Sequence, residues 1–477
     1  MARRYECSRI FISGDHSWFR PEGTDRLTVV NPATEKVIGS CAAGNRADVY
    51  AAVKAARDAF DNGPWPRMTP AERAAILSPL LRTYADRAPE YADLITAEMG
   101  SPVAFTAQTE HPMQIIDYYT TPGNLTPLDP EPCDGFTITH EPAGVVAVIT
   151  PWNMPHKTIL MKVMPALVAG CTVIVKPAPQ TPLDALALAE AFTDLDLPYG
   201  VLSVIPTDNQ AAEYLASHPD VDKIAFTGST RTGKHLAQLA GRDIRRISLE
   251  LGGKSPMLLL PGTDLPSALG TVPDMSLANS GQICSNQTRI LVHASQHDEA
   301  ATLLRHFLQS LPMGDPYDPD TVIGPLVTEH QRNMALSHIA DAHADGCRLL
   351  TGGTAPNRTG YYLHPTLFTD VGHRTRLFNT EVFAPVLTLT PYTDTDQAVT
   401  YANTGPYGLD ASVWAPYETL PRARQVAIRL RTGTVRLNGA PTPIHAPLGG
   451  FKQSGIGREL GHEGLTAFTE TKVTTHP

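Results

Sequence analysis

The chain has 477 residues, a formal net charge of -10 and a composition that is 42% hydrophobic and 18% charged. This length exceeds what one hydrophobic core supports and predicts two or three domains. The acidic balance argues against a nucleic-acid partner, and no run of about 18 apolar residues could serve as a membrane span. The N-terminal stretch MARRYECSRI is basic but lacks the apolar segment of a secretion signal, and Asp15 and His16 soon follow, so we expect a cytoplasmic protein.

Six cysteines lie far apart in the chain, at positions 7, 41, 133, 171, 284 and 347. They form no C-x-x-C pair, and no Cys/His cluster has the spacing of metal ligands. The sequence therefore favours neither a disulfide framework nor a structural metal site.

The first quarter of the chain is predicted to be mostly helical. Apolar residues at helical spacing predict a helix over 46–60. Helices over 70–87 and 89–99 follow, the second of them ended by Gly100. A further helix is expected over about 103–119.

From about residue 136, strands and helices alternate. The run from Val145 to Thr150 is continuously apolar, as in strands buried within a parallel sheet. Further strands are predicted at 171–176, 201–205, 223–227 and 247–251. Helices are predicted at 156–169, after Thr181 and Pro182, at 209–217 and at 230–240. This alternation predicts a doubly wound parallel sheet, whose ligands bind at the carboxyl ends of the strands.

A second alternating region is expected after residue 252. Its predicted strands lie at 288–293, near 347 and near 386, and its predicted helices at 298–309, 330–344 and 416–430. The glycine-dense stretch PLGGFKQSGIGRELG, residues 447–461, implies close packing against a ligand or another chain.

A reactive thiol is suggested by LANSGQICSNQTRILV, residues 277–292. Cys284 is flanked there by small and polar residues and stands directly before a strand-like run. A buried structural role is the alternative, because free cysteines are often core residues. Reactivity requires a partner base and an electropositive pocket.

A phosphate-binding loop is suggested by GSTRTG, residues 228–233, between a predicted strand and a predicted helix. Glycine lets the backbone approach a phosphate, and the helix N-terminus supplies free N–H groups. The motif is not G-x-G-x-x-G, so a plain turn with a helix cap is the alternative. Lys176, at a strand end, is a candidate for the adenosine ribose, with simple solvation as its alternative.

Seven motifs occur together and in order: PWNMP, KPAPQTP, FTGSTRTG, ELGGKSP, NSGQICSNQTR, EVFAP and PLGGFKQSGIGRELG. In order and spacing they resemble the NAD(P)-dependent aldehyde dehydrogenase superfamily, from about residue 130 to 470. The resemblance implies an α/β fold with a doubly wound, Rossmann-like cofactor domain, a second α/β catalytic domain and a small β oligomerisation arm. The implied boundaries are 1–122 with 144–252 for the cofactor domain, 253–452 for the catalytic domain, and 123–143 with 453–477 for the arm.

The resemblance also implies roles for three residues. Cys284 is the nucleophile that adds to the aldehyde, and Asn153 with the Cys284 backbone N–H stabilises the oxyanion. Glu250, in ELGG and 34 residues before Cys284, is the base for hydrolysis of the thioester. A structural salt bridge for Glu250 and a helix cap for Asn153 are the alternatives.

Positions that match the cofactor contacts of the family are Trp152, Lys176, Pro179, Gly228, Ser229, Gly233, Leu251, Gln331, Glu381 and Phe383. At Pro179 the family often has Glu, whose carboxylate binds a ribose hydroxyl and repels a 2′-phosphate. Arg231 adds a cation nearby. NAD and NADP therefore both remain possible cofactors.

The substrate tunnel implied by the resemblance is lined by Gln108, His111, Ile115, Met154, His156, Lys157, Met161, Ile283, Ser285, Ile444 and His445. Gly449 and Gly450 shape the wall near the thiol. This mixture suits a mid-sized apolar aldehyde, which the sequence favours, or an aldehyde that carries an anionic group.

Two other functions remain open at this point. A CoA-acylating enzyme would pass the thioester to CoA, although Glu250 argues for hydrolysis. A non-catalytic protein on the same fold is a second alternative, because a fold alone does not imply activity. The arm predicts a homodimer or a homotetramer.

Overall fold

The structure is a computed structural model that describes residues 5–14 and 17–477. Asp15, His16 and the first four residues, on which part of the N-terminal prediction rests, lie outside the described residues. Within the described ranges, four sheets contain 21 strands.

The N-terminal region begins with strands that the sequence analysis did not predict. They are β1 (Tyr5–Cys7), β2 (Ile10–Ile12), β3 (Trp18–Phe19), β4 (Arg26–Asn31) and β5 (Lys36–Ala42). Four helices follow, α1 (Arg46–Asp61), α2 (Pro70–Leu77), α3 (Pro79–Met99) and α4 (Ala107–Thr120). β2 and β3 extend the large sheet described below, and β1, β4 and β5 form a three-stranded sheet.

The boundary between α2 and α3 was predicted wrongly. The break lies at Ser78, not between 87 and 89, and Pro89 is inside α3. Pro79 has no N–H for the carbonyl of Ala75, and the Ser78 hydroxyl donates to that carbonyl instead, at 3.0 Å. The first proline therefore starts a helix, and the second is accommodated within it.

The large sheet has eight strands and confirms the doubly wound prediction. The next elements along the chain are the strands β6 (Glu131–Cys133), β7 (Phe136–Pro142), β8 (Val145–Ile149), β9 (Thr172–Lys176), β10 (Leu202–Val204), β11 (Lys223–Thr227) and β12 (Arg246–Glu250). The helices between them are α5 (Pro155–Ala169), α6 (Pro182–Ala191), α7 (Asn209–Ser217) and α8 (Thr230–Arg242). β8 to β12 pair in parallel in the order β12-β11-β8-β9-β10.

Both faces of this sheet are covered by helices. Val146 and Val148 pack with α5 residues in one apolar cluster, whereas Val145 and Ala147 pack with α1 and α7 in another. This explains why β8 is apolar at every position. The carboxyl ends of β8, β11 and β12 then lead into the loops that carry Asn153, Gly228 and Gly252.

The second region is built on a seven-stranded sheet. Its strands are β13 (Pro256–Leu259), β14 (Arg289–His293), β15 (Arg348–Thr351), β16 (Thr366–Thr369), β17 (Val386–Tyr392), β18 (Ser412–Trp414) and β19 (Arg436–Leu437). Its helices are α9 (Leu265–Leu269), α10 (Val272–Met275), α11 (His297–Ser310), α12 (Glu329–Ala344), α13 (Arg376–Asn379), α14 (Thr395–Asn403) and α15 (Leu420–Arg429). All strand pairs except β15 with β16 are parallel.

The C-terminal segment divides between two sheets. β20 (Gly455–Ile456) joins the edge of the large sheet, α16 (Gly461–Thr466) follows, and β21 (Thr469–Thr475) pairs antiparallel with β7. β21, β7 and β6 thus form a small three-stranded sheet. Across the described residues, no helix combines the length and the apolar character needed to cross a membrane.

Candidate active site

Two cavities meet at Cys284. The first, of about 220 Å³, is lined by Pro151, Trp152, Asn153, Thr227, Gly228, Ser229, Glu250, Leu251, Gly252, Cys284, Gln331, Glu381 and Phe383. The second, of about 260 Å³, shares Asn153, Thr227, Glu250 and Cys284 with the first. The sulfur, an amide and a carboxylate from three distant parts of the chain therefore lie on the walls of both cavities.

The loop before Cys284 has an unusual backbone. Asn279, Ser280 and Gly281 have φ angles of 53°, 59° and 80°, a left-handed run that residues other than glycine rarely adopt. A Cβ on Gly281 would lie 2.4 Å from the Ala384 carbonyl carbon and 2.6 Å from the Pro385 nitrogen. The loop therefore packs with its backbone directly against the segment that follows Glu381, and backbone strain accompanies the site.

Asn153 is held on both sides by this loop. Its side-chain amide donates to the Gln282 carbonyl at 2.8 Å, and its backbone carbonyl accepts from the Asn279 side chain at 2.9 Å. Gln108 donates to the same carbonyl at 3.0 Å. Because a side-chain amide has two N–H donors, one remains to act in the cavity.

The Cys284 thiol is half-buried and strongly biased toward its neutral form. Burial raises its pKa to about 12, and the carboxyl groups of Glu381 and Glu250 contribute to the rise. Lys157 and the backbone N–H of Cys284 act in the opposite direction. Formation of the thiolate therefore depends on nearby cations, donors and proton acceptors.

Glu250 ends β12 and is buried, with 4% of its surface exposed. Among the residues that the structure describes, its Oε1 has no hydrogen-bond partner, and a Cβ on Gly449 would come within 2.8 Å of that atom. Burial first, and then the charge of Glu459, raises the Glu250 pKa well above its usual range, opposed by Lys162 and Arg458. Such a carboxyl is suited to exchange protons near neutral pH.

Two buried residues behind Glu250 were missed by the sequence analysis. Lys162 Nζ and Glu459 Oε1 form an ion pair of 2.6 Å, and Lys162 also donates to Thr227 Oγ1. Thr227 lines both cavities. A lysine within the apolar helix α5 and a glutamate in the glycine-dense C-terminal stretch were the available signals, since fully buried charges are nearly always paired.

The N-terminus of α8 opens onto the first cavity. Ser229 caps this helix by accepting from the Thr232 N–H at 3.2 Å, and Gly228 precedes it. A Cβ at Gly228 would lie 2.4 Å from the Phe226 ring. The site is therefore a helix N-terminus approached by a side-chain-free turn, which is the arrangement that binds phosphate.

Glu381 and Phe383 form the opposite wall of the first cavity. Glu381 accepts from the Gly253 N–H at 3.1 Å, and burial raises its pKa to about 7, with that N–H and Lys254 opposing. Phe383 has φ of 58° and packs edge-on against Trp152, with ring centroids 5.5 Å apart. Gln331 donates to the Phe383 carbonyl at 3.0 Å and so holds this segment in place.

Three residues predicted to contact the cofactor do not line the first cavity. Lys176 ends β9, is buried, and has its pKa lowered to about 8, by burial first and with Asp208 opposing. Pro179 lines a separate depression with Gln180 and His330. Gly233 lies inside α8, where a Cβ would be 2.5 Å from Leu251, so it serves close helix packing.

The second cavity is lined by most of the residues predicted for the substrate tunnel. His111, Met154, Lys157, Met161, Ile283, Ser285 and Ile444 all lie on its wall. Gln114, Asp410, Thr434 and Arg436 also line it and were missed. No short motif marks these four, which come from three segments remote in sequence: α4, the residues before β18, and β19 with the residues before it.

Four residues of the predicted tunnel do not line the second cavity. Gln108 lies behind the wall and binds Asn153, and Ile115 is fully buried. His156 is buried between Tyr84, 2.9 Å from its Nδ1, and the Asp184 carbonyl, 2.9 Å from its Nε2. His445 is exposed, although its neighbours Ile444 and Ala446 line the cavity.

A model of the aldehyde dehydrogenase family matches residues 18–474. Among curated relatives, 3-succinoylsemialdehyde-pyridine dehydrogenase from Pseudomonas sp is 40% identical over 96% of this chain and 97% of its own length. Geranial dehydrogenase from Castellaniella defragrans is 36% identical, with 97% of each chain covered.

Solved structures show the same similarity. A Mycobacterium tuberculosis aldehyde dehydrogenase complexed with NAD+ has a TM-score of 0.96 and 38% identity, with 99% of each chain covered. A mutant of aldehyde dehydrogenase C from Pseudomonas syringae, in complex with NAD+ and octanal, has a TM-score of 0.93 and 36% identity, covering 98% of this chain and 96% of that one.

Proposed function

The chain belongs to the aldehyde dehydrogenase family, and on that premise we propose that Cys284, Asn153 and Glu250 oxidise an aldehyde to a carboxylic acid with NAD+ or NADP+. The observation that supports this assignment of roles is the convergence of the three side chains on two cavities that meet at the thiol. The second cavity would hold the aldehyde, and the first would hold the dinucleotide.

The residues of the first cavity fit a dinucleotide. The side-chain-free turn at Gly228 and the N-terminus of α8 would bind the pyrophosphate, since N–H groups and the helix dipole favour an anion there. Glu381 would accept hydrogen bonds from ribose hydroxyl groups, and Trp152 and Phe383 would bound the ring. A bound nicotinamide supplies the hydride acceptor for the reaction.

The thiol and the amide act on the carbonyl. The Cys284 sulfur adds to the aldehyde carbon, and the remaining N–H of Asn153 together with the Cys284 backbone N–H stabilises the oxygen anion of the thiohemiacetal. The hydrogen bond from Asn153 to the Gln282 carbonyl fixes the amide before the substrate arrives. Such preorganised donors cost no rearrangement during the reaction.

Glu250 then activates the water that cleaves the Cys284 thioester, the species left once the thiohemiacetal carbon has lost a hydride. Glu250 Oε1 lies beside Gly449, where the absence of a side chain leaves room for the carboxyl to move. Glu459, paired with Lys162, is a second buried carboxyl that helps to raise the Glu250 pKa and so favours uptake of the proton from water. Hydrolysis, not transfer to CoA, is the outcome that a buried base of this kind serves.

A panel of aldehydes tests the function, with NAD+ and NADP+ supplied separately and NAD(P)H formation followed by absorbance. We expect turnover by the native chain and none by Cys284→Ala, with dinucleotide binding retained. Cys133→Ala is the matched control, because Cys133 lies in the small three-stranded sheet. Acyl-CoA formation in the presence of CoA, or no turnover with any aldehyde, would contradict the proposal.

Each proposed domain corresponds to one of the sheets of the fold. We propose a cofactor domain around the eight-stranded sheet and a catalytic domain around the seven-stranded sheet. The small sheet formed by β6, β7 and β21 would act as an oligomerisation arm. β21 is largely exposed, with Val473 57% exposed, which supports a further chain packing there. Mass photometry of the native chain and of a chain truncated before β21 distinguishes a monomer from a dimer or tetramer.

A further inference from the structure

The second cavity has two cations on its wall. Lys157 is in the first turn of α5 and Arg436 is in β19, and both line the cavity with Asp410 and Cys284. A cation removed from water ordinarily has a carboxylate partner. The carboxyl groups around the cavity therefore decide which of these two charges is balanced.

Asp410 balances Arg436. Its Oδ2 accepts from Arg436 Nε at 3.2 Å and from Nη2 at 3.1 Å, and its Oδ1 accepts from Gln287 at 2.7 Å. The Asp410 side chain is 2% exposed. Both oxygens are thus occupied, while Arg436 Nη1 has no acceptor in the part of the chain that the structure describes.

No other group around the cavity balances Lys157. Glu250 shares the wall but makes no ion pair with Lys157 among the described residues, and burial raises the Glu250 pKa well above its usual range. Glu459 is already paired with Lys162. His111 adds no charge, because burial and then Lys157 lower its pKa to about 3. Within residues 5–14 and 17–477, Lys157 makes no ion pair.

An anion bound next to Lys157 would stabilise the charged form of this lysine. Burial lowers the pKa of this lysine, and Arg436 lowers it further, while Cys284 and Glu459 oppose the change. Both cations line one cavity and have N–H donors without an acceptor in the described residues, so each can donate to a carboxylate bound there. The thiol lies on the same wall, so one molecule can reach both ends.

We propose that the substrate is an ω-oxo acid, whose carboxylate is bound by Lys157 with Arg436 beside it while its aldehyde reaches Cys284. Met154, Met161 and Ile283 would contact the methylene chain between the two ends. The product is then a dicarboxylate. This inference rests on the proposed function and reverses the preference for a plain apolar aldehyde drawn from the sequence.

Steady-state kinetics test the proposal with pairs of equal length, an alkanal and the corresponding ω-oxo acid, from four to eight carbons. We expect kcat/KM to favour the acid for at least one length, and Lys157→Met to reduce that preference about ten- to hundredfold through KM, as for loss of a charged hydrogen bond. Lys36→Met, at an exposed surface lysine, is the matched control. A native chain that prefers alkanals, or equal losses for both substrates in Lys157→Met, would overturn it.

A binding measurement decides the inference even without turnover. Dicarboxylates and monocarboxylates of equal length are compared as protectants of Cys284 against alkylation, followed by peptide mass spectrometry. We expect the dicarboxylate to protect the native chain and to lose this protection in Lys157→Met. Equal protection by both acids, or protection that survives the substitution, would refute the carboxylate site. Protection without any turnover would refute the proposed function alone.

Discussion

The two cavities that meet at Cys284 differ in the kind of residues that line them. The first cavity is lined largely by backbone turns and by residues within short motifs, such as Trp152, Gly228 and Glu381. The second is lined by side chains from two helices, from strands and from several loops, such as His111, Lys157 and Arg436. The residues proposed for the chemistry shared by the family thus lie in short motifs, whereas those proposed to contact the substrate are brought together only by folding.

Cys284→Ala removes the proposed nucleophile, which lines both cavities. For Cys284→Ala we expect kcat to fall by more than about 10,000-fold, as for removal of a covalent nucleophile. Dinucleotide affinity, measured by fluorescence titration, should change little because the first cavity keeps its other walls. Measurable steady turnover by this variant would show that another group is the nucleophile.

Glu250→Gln tests the residue that stands on the boundary between the cavities. Loss of a general base should reduce steady-state turnover by about 100- to 10,000-fold. One NAD(P)H per active site should still form in a rapid burst, and intact mass should show an acyl adduct on Cys284. Exposed Glu463→Gln is the control, and loss of the burst itself would place Glu250 in an earlier step.

Asn153→Ala removes the side-chain donor proposed for the oxyanion. We expect kcat to fall about 100- to 1,000-fold, the usual effect of losing one such donor. Asn153→Ser keeps a donor and should recover part of the loss. Thermal melting separates this effect from destabilisation, because Asn153 also ties together the loops at 151–155 and 279–282.

The pH dependence of thiol alkylation tests how the surroundings of Cys284 shift its pKa. Because the pKa of Cys284 is raised to about 12, the thiolate fraction of the cofactor-free chain should keep rising about tenfold per pH unit from pH 7 to 9. An ordinary thiol levels off near its pKa of about 8.5. Alkylation that levels off below pH 9 would show that the thiol is already activated.

Arg231→Glu reverses a charge near the N-terminus of α8, which opens onto the first cavity, and has the smallest expected effect. Arg231 is exposed near the start of α8. Its replacement should lower kcat/KM for NADP+ relative to NAD+ by about two- to fivefold, a weak effect because surface charges are screened by solvent. An unchanged ratio would remove Arg231 from cofactor selection.

Much of the fold could be predicted because its signals are local. Val145–Ile149 is apolar throughout, and α5 ends where Gly170 adopts φ of 102°. The strands β1 to β5 were missed because β1, β2 and β3 have three residues or fewer, whereas β4 and β5 are longer but mix buried and exposed residues without strict alternation. The α2–α3 boundary was misplaced because Pro79, which begins α3, and Pro89, which lies inside it, look alike in sequence.

The residues that line the first cavity were predicted more completely than those that line the second. Most of the residues predicted to contact the cofactor line the first cavity, whereas Lys176, Pro179 and Gly233, which also stand in the motifs, lie outside its wall. His156 and His445 do not line the second cavity although their sequence neighbours do, since neighbours in a helix or an extended loop point in different directions. The Lys162–Glu459 pair was missed because its members are far apart in sequence and are adjacent only in the folded chain.

The contact of Gly281 with the Ala384–Pro385 peptide leaves no clearance between the loop that carries the sulfur and the loop that carries Glu381 and Phe383. At Gly281 the two loops meet main chain to main chain, so no side chain of the second cavity sets their separation at this point. We therefore expect substitutions at Lys157 or Met161 to change substrate range while the spacing between these two loops is kept.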